Sequence, residues 1–417
     1  MAKRTRTGGR EATQGVIPGR IALSVGRPNL REPSGFRWRK LTDVARLESG
    51  HTPSRSKGEY WGGEIPWVGI RDATGNHGRK IDKTLDYVTQ SGLDNSSARL
   101  LPTGTVCLSR TASVGFVVEM GRPMATSQDF VNWVCGPDLN NNYLRYVLML
   151  EQDSVRRFSH GTTHQTMYYP EAKALHVLMP IRAEQDAIAE VLGALDDKIA
   201  ANERLVTTID QLATLTWLRE SAEGVAVPLS SLAHFVNGRA FTRDASGTGR
   251  IVIRIAELNS GLGGSTVYND IDVPDDHLAR PGDLLFAWSG SLTVARWFRP
   301  EAIVNQHIFK VIPKDGHPLW FVNQALRMKL LEFKAIAADK ATTMGHIQRR
   351  HLDEPVVLPA KDQIDRLDDL MSGFWDRALA AEEENLRLEI TRDELLPLLM
   401  SGKVRVRNAE KVVEEVV

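Results

Sequence analysis

Long apolar runs are missing from this 417-residue chain. No window approaches the roughly 18 consecutive apolar residues that a membrane-spanning helix needs, so a helical membrane protein is excluded. Cysteine is nearly missing as well. Cys107 and Cys135 are too few for a disulfide framework at this length, and a reducing cytoplasm is the simple expectation. Charge of one sign is also lacking: 52 Lys plus Arg face 52 Asp plus Glu. That balance excludes a non-specific DNA coater, whose charge is strongly basic, yet leaves room for a reader with local basic surfaces. The basic N-terminus is followed by no apolar h-region and does not read as a secretory signal.

Catalytic signatures are scarce too. There is no Walker-type Gly-x-x-x-x-Gly-Lys followed by Ser or Thr, which argues against ATP hydrolysis. A methyltransferase would show a glycine-rich cofactor loop and an Asn-Pro-Pro-Tyr or Asp-Pro-Pro-Tyr run, and Tyr168-Tyr-Pro170 is neither. Glu332-Phe-Lys334 has the Glu-x-Lys spacing of nucleases, with Asp283 as an imaginable partner, but its segment reads as a helix. The pairs His160 with His164 and His346 with His351 lack further ligands at zinc spacing. Cys107 sits in an apolar strand pattern, where a buried structural thiol is the usual outcome.

What is present is said twice. The length suggests two or three domains, and repeats are the first thing to seek in such a chain. Leu41-Thr-Asp-Val-Ala-Arg-Leu-Glu-Ser-Gly50 has a counterpart in Leu229-Ser-Ser-Leu-Ala-His-Phe-Val-Asn-Gly238, each a short amphipathic segment stopped by glycine. Ile65-Pro-Trp-Val-Gly-Ile-Arg-Asp72 pairs with Ile251-Val-Ile-Arg-Ile-Ala-Glu257, both strand-like runs that deliver a polar loop. Leu101-Pro-Thr-Gly-Thr-Val-Cys-Leu-Ser-Arg-Thr111 matches Ala279-Arg-Pro-Gly-Asp-Leu-Leu-Phe-Ala-Trp-Ser289, with Gly104 and Gly282 as the turn residues. At the same offset, Ala125-Thr-Ser-Gln128 matches Ile303-Val-Asn-Gln306. Each half then carries a helical stretch, a threonine pair (Thr162-Thr163, Thr342-Thr343) and a short strand ending at Pro180 or Pro359.

A long helical pattern follows each repeat. Ile188, Leu192, Leu195, Ile199, Asn202, Val206 and Ile209 alternate spacings of four and three, a narrow coiled-coil seam. Ile364, Leu367, Met371, Phe374, Ala378, Ala381, Asn385 and Leu388 keep a strict three-four alternation. One asparagine in each seam, Asn202 or Asn385, costs stability and fixes register or partner. At about 35 residues each helix spans roughly 50 Å, longer than one turn of DNA at roughly 34 Å.

With these features in order, the chain resembles the DNA-specificity subunits of type I restriction–modification systems over roughly residues 36–403. Ser49-Gly-His-Thr-Pro-Ser54 with Glu59-Tyr-Trp-Gly-Gly-Glu-Ile-Pro-Trp67 is similar to the opening of a target-recognition domain. Thr342-Thr-Met-Gly-His-Ile347 running into His351-Leu352 is similar to a closing loop. Pro180, Glu184-Gln185 and Ile188, with Leu195-Asp-Asp-Lys-Ile199, resemble the start of the family's first conserved helix, and Arg392-Asp-Glu-Leu-Leu-Pro-Leu-Leu-Met-Ser-Gly402 the end of its second. Lys361-Asp362-Gln363 and Phe374-Trp375 depart from that pattern, so the second helix is expected to dock its methyltransferase differently.

The resemblance implies an α+β fold: two target-recognition domains joined by two long helices that pair as an antiparallel coiled coil. The expected division is a basic, disordered tail over 1–34, domain 1 over 35–178, spacer helix 1 over 179–222, domain 2 over 223–358, spacer helix 2 over 359–402, and a tail over 403–417. The implied role is to read a bipartite, asymmetric site on double-stranded DNA without catalysis of its own. Two methyltransferase subunits, and restriction subunits in a restriction complex, are the expected partners. S-adenosylmethionine, and ATP with Mg in a restriction complex, belong on those partners; no cofactor, metal or membrane is expected on this chain.

Base reading needs bidentate donors and acceptors on loops. The first repeat offers Arg55, Lys57, Arg71, Arg79, Arg110, Thr162, Thr163, His164 and Gln165. The second offers Arg239, Arg254, Ser289, Lys340, Thr342, Thr343, His346 and Arg349. The helix-pair interface is expected at Ile188, Leu192, Leu195, Ile199 and Asn202 against Ile364, Leu367, Met371, Phe374, Asn385 and Leu388. Two other readings stay open on the residues alone: a stand-alone DNA nuclease with an unrecognised site, and an inactive scaffold of the same fold.

Overall fold

A computed structural model describes residues 15–161, 165–339 and 345–417. The chain divides into two compact units, one of residues 1–196 with 389–417 and the other of residues 197–388. Each has its own core and is built on the same α+β plan.

In the first unit a five-stranded sheet runs in the order Ala45–Ser49, Phe130–Cys135, Val106–Ser109, Val117–Met120, Arg79–Ile81. Every residue of Val106–Ser109 is buried, three of them apolar, in keeping with its place at the centre of the sheet. Cys107 lies there with its thiol pKa pushed up by burial and by the nearby Glu119 charge, so it is a packing residue. Alongside, Ala125–Thr126 pairs in parallel with Trp61–Val68. The helix Asn141–Leu150 begins at Asn140, whose side chain accepts the Tyr143 N–H, and buries Tyr143, Leu144, Tyr146 and Val147.

The second unit repeats these pairings. Its main sheet runs Ala233–Asn237, Ile308–Pro313, Leu284–Ala287, Thr293–Arg296, and Arg250–Ile253 pairs in parallel with Ala302–Val304. Leu284–Ala287 is buried throughout, like its counterpart. Gly104 and Gly282 launch these central strands with φ of 80° and 92°, the left-handed turn that favours glycine. The repeated Gly50 and Gly238 have another reason to be glycine. A Cβ on Gly50 would stand 2.0 Å from the Ser127 carbonyl oxygen, and one on Gly238 2.1 Å from that of Asn305. The two strands cross too closely for a side chain.

Residues 15–34 correct one expectation. Ile17–Pro18 pairs with Leu23–Val25, which pairs in turn with Leu175–Met179, so a hairpin stands where a disordered tail was anticipated. Glu151 holds it down: its carboxylate accepts the N–H groups of Arg20, Ile21 and Ala22 at 2.6–2.7 Å. The closing segment also differs from a plain tail, with a helix at Val406–Glu414.

The two long helices cover Arg182–Glu220 and Lys361–Met400, 39 and 40 residues. They pair antiparallel. In the first unit Asp196 meets Arg392 at 3.0 Å. In the second, Lys198 meets Glu384 at 3.3 Å and Glu220 meets Arg366 at 3.0 Å. Asn202, 3 % exposed, donates from its amide to Asn385 Oδ1 at 3.0 Å and to Glu384 at 2.7 Å. Ile188, Leu192, Leu195, Ile199, Leu367, Met371 and Leu388 are buried, while Ile364 and Phe374 are half-buried. Trp375, outside the expected seam, is buried in place of a fully covered Phe374.

Each unit ties its sheet to both helices through a charged knot. In the first, Asp196 accepts from Tyr146 Oη at 2.6 Å and from Arg145 at 3.3 Å while pairing with Arg392. Arg145 also lies 3.5 Å from the buried Glu119, whose carboxyl pKa burial raises against the pull of Arg145. In the second, Arg296 makes a fork to Glu382 at 2.7 and 3.2 Å, and lies 4.7 Å over the Trp375 ring. Arg327 reaches Asp210 at 3.2 Å.

Candidate nucleic-acid interface

The loops that leave the two central strands meet the closing segments in the same way. In the first unit the Met167 N–H donates to the Arg110 carbonyl at 2.9 Å, and Thr111 bridges Thr166. In the second the Ile347 N–H donates to the Trp288 carbonyl at 3.1 Å, and Ser289 bridges His346. Main-chain bonds thus bring Arg110 and Thr111 near Gln165, and Trp288 and Ser289 near His346, although more than fifty residues separate them in sequence. The parts of these loops at Thr162, Thr163, His164, Lys340, Thr342 and Thr343 lie outside the described residues.

Around the first meeting point, polar side chains converge on Gln128. Thr52 Oγ1 donates to its Oε1 at 2.5 Å, and Arg110 Nε to its carbonyl at 3.1 Å. The Arg110 guanidinium lies 4.9 Å over the Tyr169 ring. Thr111 Oγ1 donates to Asp129 at 2.5 Å. A second patch is built on Trp61: the Arg55 guanidinium stacks 3.6 Å above the ring and donates to Asp86 at 2.7 Å. Lys57 Nζ donates to Tyr60 Oη at 2.9 Å. Arg71 and Arg79 are exposed on other segments, Arg71 in the short helix Ile70–Gly75 and Arg79 at the head of the edge strand Arg79–Ile81.

Around the second, Trp288 is the hub. Its Nε1 donates to Asn237 Oδ1 at 2.8 Å, and its ring stands 5.1 Å from His307 and 6.4 Å from His346. The Gln306 N–H donates to the Arg239 carbonyl at 2.9 Å. His307 follows with φ 73°, a left-handed conformation that costs a side-chain-bearing residue of order 1–3 kcal/mol. The Trp288 N–H, donating to the His307 carbonyl at 3.1 Å, helps to hold it there.

From this hub a cleft of about 900 Å³ extends along the edge strand Ala233–Asn237. Arg239, Lys314, Arg349 and Arg350 line it, against Asp276 and Asp353. Arg349 is steadied by the Phe235 carbonyl at 3.4 Å and Lys314 by that of Ser230 at 2.8 Å. An excess of cations along an open groove is the electrostatics a phosphate backbone requires.

Two expected readers are less available. Arg254 spends its guanidinium on Glu257 at 2.6 and 3.1 Å and on the Ser265 carbonyl at 2.6 Å. Ser289 is 5 % exposed. Conversely, Gln128, Gln306, His307 and Asn237 belong to the two hubs but were not among the expected readers. The repeated Ala125–Gln128 and Ile303–Gln306 segments carried the signal for the glutamines. The imagined nuclease pair does not form: Asp283 pairs with Lys310 at 3.0 Å, and Glu332 with Lys329. Among the described residues no group of three His, Cys, Asp or Glu is placed to hold a metal ion.

A duplicated α+β fold with polar loop hubs at equivalent positions and paired long helices defines a two-module recognition protein. Comparison with known proteins shows what such a protein is similar to. Residues 33–211 match the type I restriction modification DNA specificity domain. The chain is 23 % identical to the type I restriction enzyme MjaIX specificity subunit of Methanocaldococcus jannaschii, over 90 % of this chain and 94 % of that one. It is 29 % identical to the HindI specificity subunit of Haemophilus influenzae over 30 % of this chain and 27 % of that one. The crystal structure of a type I restriction–modification S subunit from M. genitalium shares the fold, with a TM-score of 0.54 at 14 % identity over 87 % of this chain and 96 % of that one. The chain therefore carries the type I restriction modification DNA specificity domain over residues 33–211 and is similar to a type I specificity subunit along nearly its whole length.

Proposed function

We propose that this chain is the sequence-reading subunit of a type I restriction–modification complex and does no chemistry itself. Each unit reads one half of a bipartite, asymmetric site on double-stranded DNA, and the helix pair sets the unread gap and docks two methyltransferase subunits. Restriction subunits join in a restriction complex. S-adenosylmethionine, and ATP with Mg in such a complex, are held by the partners. The reading places the protein in the cytoplasm, where the DNA is.

One observation carries this reading. The same main-chain frame, a strand-exit loop bonded to a closing segment, is built twice and dressed differently: Arg110 and Thr111 in one unit, Trp288 and Ser289 in the other. Two equal frames with unequal side chains read two different half-sites, where a symmetric dimer would read a palindrome. Phosphate contacts position such a reader, and the cleft bearing Arg239 and Arg349 is suited to them; base contacts from the hubs specify. The adenine to be modified must leave the duplex for the methyltransferase, so this subunit has only to place its partner correctly.

The test is to express the chain with its neighbouring methyltransferase subunit in a methylation-free host and map N6-methyladenine by single-molecule sequencing. One motif with two short halves and a fixed gap is expected. A co-purifying complex that leaves no motif would sink the DNA-reading role and favour an inactive scaffold. Metal-dependent cleavage by the purified chain alone would favour a nuclease.

A further inference from the structure

We infer that Gln128 and Gln306 are equivalent base readers, each recognising an adenine in the half-site of its own unit. The inference rests on the proposed DNA-reading role and adds the residues and the base.

Both glutamines are exposed and follow a short parallel strand, Ala125–Thr126 or Ala302–Val304. The residue just before each is clamped from two sides. On one side the Ser127 N–H donates to the Val68 carbonyl at 3.0 Å, and the Asn305 N–H to that of Ile253 at 3.2 Å. On the other, Gly50 and Gly238 press so near the Ser127 and Asn305 carbonyls that no Cβ fits. Ser127 and Asn305 are 2 % and 5 % exposed. A flexible side chain on a rigid, buried seat is how a reader is preorganised.

Neighbouring residues differ between the units while the glutamine recurs. Asp129 follows Gln128 where His307 follows Gln306, and Arg110 stands where Trp288 does. A surface glutamine kept only for solubility would not need the strained His307 beside it or the Thr52 hydroxyl fixing its amide. With Thr52 donating to Oε1, the Gln128 Nε2 points away as a donor while Oε1 keeps a second lone pair. That donor and acceptor match adenine N7 and N6–H in the major groove.

The experiment compares Gln128→Ala and Gln306→Ala with the unaltered chain in the methylation mapping above. Each variant is expected to relax one A·T position, in one half-site only and in opposite halves for the two variants, by about 10- to 100-fold in discrimination. Binding of the purified complex to an oligonucleotide with 7-deazaadenine at that position supplies the atomic readout. Loss of N7 should weaken the unaltered complex and leave the corresponding alanine variant unaffected. An unrelaxed motif overturns the inference, as does uniform weakening at every site, the sign of a phosphate contact. Absence of any motif with the unaltered chain would instead remove the DNA-reading role.

Discussion

At the scale of the residue, His77 shows how a side chain outside the reading loops shapes the molecule's response to pH. Its Nδ1 accepts the Val117 N–H at 3.1 Å, a role open only to the unprotonated nitrogen, and its ring meets Phe116 edge-on. Burial, reinforced by the Arg156 and Arg392 charges, lowers its pKa to about 4. Between about 6.5 and 4 the unfolded chain therefore binds a proton that the folded chain refuses. The stability of the neutral histidine is complete above pH 6.5 and is lost as pH falls through about 4, by roughly 2 kcal/mol after allowance for its partial exposure. His77→Asn keeps an acceptor near the same place but does not titrate. Its melting temperature should fall less than that of the unaltered chain between pH 7 and 4; equal falls would refute the assignment. Nothing in the sequence marks His77, because the strand that uses it begins forty residues later. Gln128 and Gln306 were visible as repeats, but their seats depend on contacts with Gly50 and Gly238 that only the folded chain reveals. Arg254 shows the reverse: the sequence offers it as a loop donor, and the fold pairs it with Glu257, three residues on.

At the scale of the element, the long helices were the most legible part, because a three-four alternation sustained over many turns has few other outcomes. The same pattern put one asparagine in each seam, but that Asn202 and Asn385 meet each other is seen only in the fold. The hairpin of residues 17–25 was not legible: two very short strands leave no periodicity, and the carboxylate that holds them comes from Glu151. The Trp375 burial was missed because Arg296 supplies a cation over its ring from another element. In the second unit the asparagine pair yields a sharp prediction. Asn202→Ala strands the Asn385 and Glu384 groups it satisfied, and should cost about 1–3 kcal/mol. Replacing Asn202 and Asn385 together by leucine removes both amides, leaves Glu384 its ion pair with Lys198, and should be nearly neutral or stabilising, at the expense of a fixed register. Urea unfolding of the two variants beside the unaltered chain decides it. A double variant weaker than Asn202→Ala would mean that the hydrogen bonds themselves, and not the stranded partners, carry the stability.

At the scale of the whole molecule, the question is what the helix pair measures when it lies along the duplex, as the proposed role requires. Length and rotation make different demands. Seven residues added to each helix lengthen it by about 10 Å, the rise of about three base pairs, but leave its phase only about 20° from where it was. Three base pairs turn the DNA by roughly 100° at 10–10.5 per turn, so the second half-site would face away from its reader. Four added residues lengthen the helix by about 6 Å, the rise of nearly two base pairs, and advance it about 40° beyond a full turn, nearer the roughly 35° of one base pair than the roughly 70° of two. A four-residue stutter is also tolerated in a coiled coil as a local unwinding. Rotation should win over length, because a base edge can be read only from its own groove. Insertions beside the Asn202–Asn385 pair, four or seven residues in each helix, test this by methylation mapping of the altered complexes. The four-residue form should keep both half-sites and widen the gap by one base pair, and the seven-residue form should leave no motif. A seven-residue form whose gap grows by about three base pairs would show that length alone is read. A gap unmoved by either insertion would show that the helices are not the ruler.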